Sequence, residues 1–369
     1  MKQGLPNLLC LLLLEAGSPA QAPPLRTQNV ILITLDGLRW QEVFGQPPPT
    51  GPASPAAGRT PEQRRRALLP FLWDTVATRG QLYGNRTYGN QVNVANYQRY
   101  SYPGYQEILA GEADAYLLGN RPVESQRPTV LDFLSQQPAY RGRVAAFASW
   151  VTLGPILRAS SGNYPVNAGW QSATGPDLSG RQCHLNAQLT RGPRPWPHVR
   201  ADTLTFAYAF EYLKRQQPRV LYLSLGETDE YGHAHQYADY LQAAHRADAC
   251  LAQLWAYLQR TPQYRNHNTL IFSTDHGRGR GQWWAKHNGF IPGSRQAWLA
   301  VLGPDTPPTG EQRTRGRVSQ NQVAQTLAAL LGLTYPAPPQ AGPVIRSVLP
   351  LSSKQEMRSL LPYLTLHHD

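Results

Sequence analysis

Three apolar runs of strand length each end in an acid-bearing turn, and this recurrence restricts the fold more than any other feature. Asn29 to Leu35 runs into Asp36-Gly37, Arg219 to Leu225 into G-E-T-D at 226–229, and Thr269 to Thr274 into Asp275-His276-Gly277. Continuous apolar runs rich in β-branched residues suit strands covered on both faces. Helical patterns lie among them: Ala67 to Arg79, stopping at Gly80, Ala201 to Gln217, Tyr237 to Arg260 and Gln320 to Leu331. Further strands are expected at Arg143 to Trp150 and Ala297 to Gly303, and a long Pro/Gly/Ala/Arg-rich loop over Gln46 to Arg66. Alternation of this kind predicts an α/β fold, a central mostly parallel sheet sandwiched between helices.

Ligands of open α/β sheets bind beyond the carboxyl ends of the strands. Acids at three such ends of one sheet repel each other, and burying a bare carboxylate costs several kcal/mol. A bound cation removes both difficulties. The stretch G-E-T-D-E-Y-G-H-A-H at 226–235 supplies Asp229 and His233, with Gly232 read as permitting a tight turn before the His. Asp275-His276 adds a hard oxygen and an imidazole, Asp36 a third carboxylate and His287 a third imidazole. Mixed N/O donors suit zinc, with manganese or iron as substitutes, and not calcium. Six donors exceed one tetrahedral zinc with an open position. They match two ions about 4 Å apart, as in phosphoryl transfer. Ser101, in Y-S-Y-P-G-Y at a Pro-containing helix start, is the candidate nucleophile. Taken by itself it reads better as a helix cap.

These motifs, in this order, resemble the alkaline phosphatase superfamily, and most closely its type I phosphodiesterase/nucleotide pyrophosphatase branch. L-D-G-L-R at 35–39, S-Y-P-G-Y at 101–105, D-E-Y-G-H at 229–233, T-D-H-G at 274–277 and K-H-N-G-F at 286–290 carry the likeness, over about residues 29 to 335. The resemblance implies that Asp36, Ser101, Asp275 and His276 hold one zinc, and Asp229, His233 and His287 the other. It implies attack by Ser101 on phosphorus and a phosphoserine that water hydrolyses, with Asn120 in L-L-G-N binding a phosphate oxygen. The sequence departs from the branch in having Ser rather than Thr as nucleophile, and Gly104-Tyr105 where Asn-His is common. Tyr105 stands where sulfatases need Arg, which argues against formylglycine formation. The expected activity is hydrolysis of a small phosphate ester, mono- or diester. A phosphotransferase acting on envelope glycans, a sulfatase-like hydrolase and an inactive metal-binding module are the alternatives.

Among the remaining polar residues, Glu227 is a candidate for orienting a ligand His, and Arg278, Lys286 and Tyr105 for touching the substrate. His245 and Asp248, three apart on one helix, read as surface or packing residues. Residues 1–22 read as a targeting segment: Met1 to Asn7 carries one Lys, Leu8 to Leu14 is apolar, and Ala20-Gln21-Ala22 has the small-x-small form of a cleavage site. Residues 23–369 are then a single exported catalytic domain, periplasmic or secreted, without a transmembrane segment. The net charge of +12 is carried by arginine, since Lys occurs only at 2, 214, 286 and 354. The arginines are scattered apart from Arg64-Arg65-Arg66 and Arg278/Arg280, so no specific nucleic-acid binding is expected. Cys183 and Cys250 are either a disulfide or two separate thiols.

Overall fold

The computed structural model describes residues 24–47, 60–117, 119–336, 338 and 340–350. The expected targeting segment lies outside them. Leu25–Pro350 forms one compact unit. Its main sheet has eight strands in the order Gly310–Glu311, Gln81–Tyr83, Leu299–Leu302, Asn268–Ser273, Asn29–Leu35, Val220–Leu225, Val144–Ala148 and Val166–Ala168. From Asn268–Ser273 to Val166–Ala168 every pairing is parallel, while Leu299–Leu302 runs antiparallel to both of its neighbours. A second sheet joins Gly316–Ser319, Asn90–Asn93 and Gln296–Ala297.

The alternation of side chains along each central strand explains why these runs are apolar throughout. Ile31, Ile33, Leu221, Leu223 and Phe272 face one core, under the helices Asp202–Gln216 and Tyr237–Arg260. Val30, Leu32, Val220, Tyr222 and Ile271 face the other, under Ser101–Ala110, Val130–Gln136 and Val323–Leu330. Among the described residues no helix is long and apolar enough to cross a membrane.

Two expectations need correction. The Gln46–Arg66 stretch is not all loop: Pro61–Leu68 is a helix with Thr60 and Gln63 in a capping box. The segment expected as one helix over 67–79 breaks after Leu68 and resumes as the turns Leu72–Val76 and Ala77–Arg79. Asp248 caps the restart, accepting the Phe71 and Leu72 N–H groups at 2.8 and 2.9 Å. Cys183 and Cys250 are free thiols.

Candidate metal centre

The sheet register carries the acids to one place. Asn29–Leu35 lies between the other two acid-tipped strands, with Thr34 level with Ser224 on one side and Ser273 on the other. Adjacent strands are about 4.8 Å apart, so Asp36, the start of the Glu227–His233 segment and Asp275 emerge side by side. Ser101 enters as the first residue of the Ser101–Ala110 helix. That helix sits tightly against the Asp275 turn. A Cβ on Gly104 would lie 2.4 Å from the Asp275 carbonyl oxygen, so nothing larger than glycine fits. This is a physical reason for the departure at position 104.

The structure brings together Asp36, Ser101, Asp229, His233, Asp275, His276 and His287. His276 Nδ1 donates to the Gly277 carbonyl at 3.0 Å, which leaves Nε2 as an acceptor facing the centre. Around Nε2 lie Ser101 Oγ at 3.2 Å, Asp275 Oδ2 at 3.3 Å and Asp36 Oδ1 at 3.5 Å. On the other side His233 Nε2 lies 3.0 Å from both Asp229 Oδ2 and His287 Nε2. His287 Nδ1 donates to the Arg99 carbonyl at 3.0 Å, so its Nε2 also faces inward. The His276 and His287 rings stack at 3.7 Å.

The residues present fit divalent cations. Asp36 Oδ1 and Asp275 Oδ2 are buried oxygens with no hydrogen-bond partner. Donors placed tetrahedrally about a zinc with bonds near 2.0–2.1 Å stand about 3.3 Å apart, which matches the 3.2 to 3.5 Å separations around His276. Electrostatics agrees. Burial, then the charges of Asp275 and Asp229, pushes the Asp36 carboxyl well above its ordinary value. Asp275 is pushed up to about 7, by burial and then Asp229. Burial also holds His276 well below the usual imidazole range, His287 adding to it, and brings His287 down to about 4. Neutral imidazoles beside carboxylates that lack a counter-charge are ligands prepared for a cation.

Several supporting residues were assigned differently from sequence. The Glu227–His233 segment is a helix, not a turn, with Glu227, Asp229 and Glu230 in its first turn, where its dipole favours acids. Gly232 lies inside that helix; a Cβ there would meet the Arg278 guanidinium at 2.6 Å. Arg278 is fully buried and does not reach out to a substrate. It binds the Asp229 carboxylate, and also the Asp229 and Ala285 carbonyls at 2.9 and 2.6 Å. Burial by itself would raise Asp229, but Arg278, followed by His233, holds it well below the carboxylate range. Tyr105 is likewise buried, its hydroxyl donating to Asp36 Oδ2 at 2.9 Å. Glu227 orients no histidine; it accepts from the Asp202 amide at 3.1 Å and pairs with Arg246 at 2.8 Å. Lys286 is exposed. Asn120 lies beside the nucleophile, its Oδ1 accepting the Tyr102 N–H at 2.9 Å.

A mostly parallel α/β sheet whose strand tips gather three carboxylates, three imidazoles and a serine hydroxyl defines a hydrolase of the alkaline phosphatase-like class. The chain belongs to the type I phosphodiesterase/nucleotide pyrophosphatase family, whose model matches residues 75–324, more than half of its length. Membership makes it a hydrolase of phosphate or sulfate esters and implies divalent metal. Asp36 precedes the matched stretch, and it is the sheet register that places it. Solved structures agree on the fold. A 2-O GAG sulfatase, BT1596, superposes with a TM-score of 0.58 at 14% identity, over 89% of this chain and 75% of its own. For the alkaline phosphatase PafA (a multiply substituted mutant) the values are 0.57, 11%, 89% and 100%. For murine ectonucleotide pyrophosphatase/phosphodiesterase 5, in complex with AMP, they are 0.54, 13%, 87% and 100%. No curated protein matches the chain.

Proposed function

We propose that the protein hydrolyses phosphodiesters through a covalent intermediate on Ser101, with two divalent cations, zinc by the chemistry of the donors. The reading rests on one observation. Ser101 Oγ lies 3.2 Å from His276 Nε2, around which Asp36 Oδ1 and Asp275 Oδ2 are also gathered, both buried without partners. Asp36, Asp275, His276 and Ser101 would hold one ion, and Asp229, His233 and His287 the other. When bound, the ions supply positive charge that favours the serine alkoxide and offsets charge on the transferring phosphoryl group.

The chain's own groups account for the rest. Because His276 Nδ1 is protonated and bound to the Gly277 carbonyl, its Nε2 would be taken up by the ion, so the Ser101 Oγ–H proton leaves to solvent. Oγ forms a bond to phosphorus as the bond to the leaving oxygen breaks, and water then cleaves the Ser101 ester. Helix dipoles favour negative charge at their N-termini, and Ser101 opens its helix. Asn120 has committed its oxygen to Tyr102, which leaves its NH2 as a donor for a phosphate oxygen. Tyr97 and Phe290 are exposed and meet edge to face at 6.4 Å, on the segments just before Ser101 and just after His287. An apolar rim of this kind suits the second ester group of a diester. The buried Tyr105, bound to Asp36, leaves no place for the arginine of the sulfatase motif, so sulfate esters are the weaker reading.

The test is turnover of bis-p-nitrophenyl phosphate beside p-nitrophenyl phosphate and p-nitrophenyl sulfate. The diester should be preferred, and Ser101→Ala should abolish its turnover while keeping the metal. Preference for the sulfate, or activity surviving in Ser101→Ala, overturns the reading.

A further inference from the structure

A cavity of about 400 Å³ opens beside the Trp40–Val43 helix, lined by Arg39, Gln41, Gln46, Arg86, Thr87 and Arg280. Its polar groups are not satisfied internally. Gln41 is only 9% exposed, yet both its Oε1 and its Nε2 are buried without a partner. The Arg86 Nε is buried and unpartnered as well. Its Nη2 donates only to neutral oxygens, the Val92 carbonyl at 2.8 Å and Asn93 Oδ1 at 2.5 Å. Arg280 is exposed and makes one bond of 3.2 Å to Gln296. Arg39 differs, being paired with Glu42 and bound to the Gly279 carbonyl at 3.0 Å.

The uncompensated charge extends past the cavity. Burial, and after it the charges of Arg280, Arg295 and Arg317, lowers Arg86 to about 10. Among the described residues none of these four arginines pairs with a carboxylate, whereas Arg39, Arg65, Arg127, Arg278 and Arg313 all do. A fold gains nothing by gathering like charges around a buried, unpaired guanidinium nitrogen. An anionic ligand removes the repulsion and supplies the missing acceptor. Arg295 adjoins Gln296, the Arg280 partner, and Arg317 lies level with Gln91 on the strand whose Val92 and Asn93 hold Arg86, so the positive charge runs on beyond the cavity and suits a molecule with more than one anionic group.

We propose that this cavity binds a polyanion carrying two or more phosphate or sulfate groups, one of them seated between Arg86 Nε, Arg280 and the Gln41 carboxamide. The site is separate from the chemistry at Ser101 and stands whether or not the phosphodiesterase reading does. Isothermal titration of the full, zinc-loaded chain at buffered free zinc and physiological salt tests it. Sucrose octasulfate and inorganic tripolyphosphate are the two probes, and the tighter of them identifies the source of the anion. Each guanidinium–anion hydrogen bond is worth enough for Arg280→Gln and Arg86→Gln to weaken binding at least about tenfold. Arg181→Gln, on the Gly180–Arg191 helix, lowers net charge equally and should leave affinity unchanged. Should Arg86→Gln fail to fold, the exposed Arg280→Gln carries the test. Turnover of bis-p-nitrophenyl phosphate should be the same in parent and Arg280→Gln. Affinity unchanged in the Arg280 variant, or an equal loss in Arg181→Gln, overturns the proposal.

Discussion

Replacing Tyr105 by Phe deletes one oxygen from the floor of the centre. That oxygen donates to Asp36 Oδ2 at 2.9 Å and accepts from Ser224 Oγ at 3.2 Å. The ring stays filled, so no cavity opens and the loss is polar alone. A hydrogen bond to a charged group is worth about 1.5–3 kcal/mol. The Tyr105 bond favours the ionised form of Asp36, against burial and the neighbouring carboxylates. Without it the carboxyl holds its proton more tightly and competes less well for a cation. An effect of that size is about 10- to 100-fold in metal affinity, the range seen when groups behind a metal ligand are removed. Chelator competition gives the zinc affinity, and bis-p-nitrophenyl phosphate turnover at buffered free zinc gives the activity. Ser224 also loses its acceptor, so a further drop in stability of about 1 kcal/mol is expected. Zinc affinity and activity both within twofold of the parent would show that Tyr105 does not position Asp36.

Three other outcomes follow from buried groups. Arg278→Ala strands the Asp229 carboxylate, which should destabilise the metal-free protein by about 3 kcal/mol, with part of the loss restored by added zinc; denaturant midpoints with and without zinc measure it. Burial raises Asp248 from 3.8 to about 6. A folded value above the unfolded one gives stability that is full below about pH 4 and is lost as pH rises through about 6. In chelator, the advantage of parent over the non-titrating Asp248→Asn should therefore shrink by about 3 kcal/mol between pH 4 and pH 7. A gap that widens with pH contradicts the assignment. In the Ser101→Ala variant, acid-quenched peptides should carry no phosphoryl adduct, whereas the parent should carry it on Ser101 alone, as read by mass spectrometry.

The fold was legible where period and composition agree. Asn29–Leu35 and Tyr237–Arg260 match their expected bounds, because an unbroken β-branched run and a long amphipathic stretch each admit one reading. The Pro61–Leu68 helix was missed although T-P-E-Q at 60–63 carries a capping box with Pro at its start; the Pro- and Ala-rich approach hid it. The Glu227–His233 helix was hidden by its flanking glycine and by Gly232, whose reason lies 46 residues away in Arg278. The strands Gln81–Tyr83 and Val166–Ala168 are three residues each, too short for a period to show. At the centre, the gathered donors could be named from the strand tips. What supports them could not: Tyr105 on Asp36 and Arg278 on Asp229 are contacts between distant parts of the chain, and local pattern carries no record of them.

Metal content per folded chain, by elemental mass spectrometry after dialysis against a weak chelator, bears on the whole scheme. The arrangement predicts about two equivalents of zinc, falling to about one in Asp36→Ala and, separately, to about one in Asp229→Ala. A parent that retains no divalent metal, or variants that both retain the full complement, would mean that the strand-tip acids and imidazoles do not form a two-ion centre.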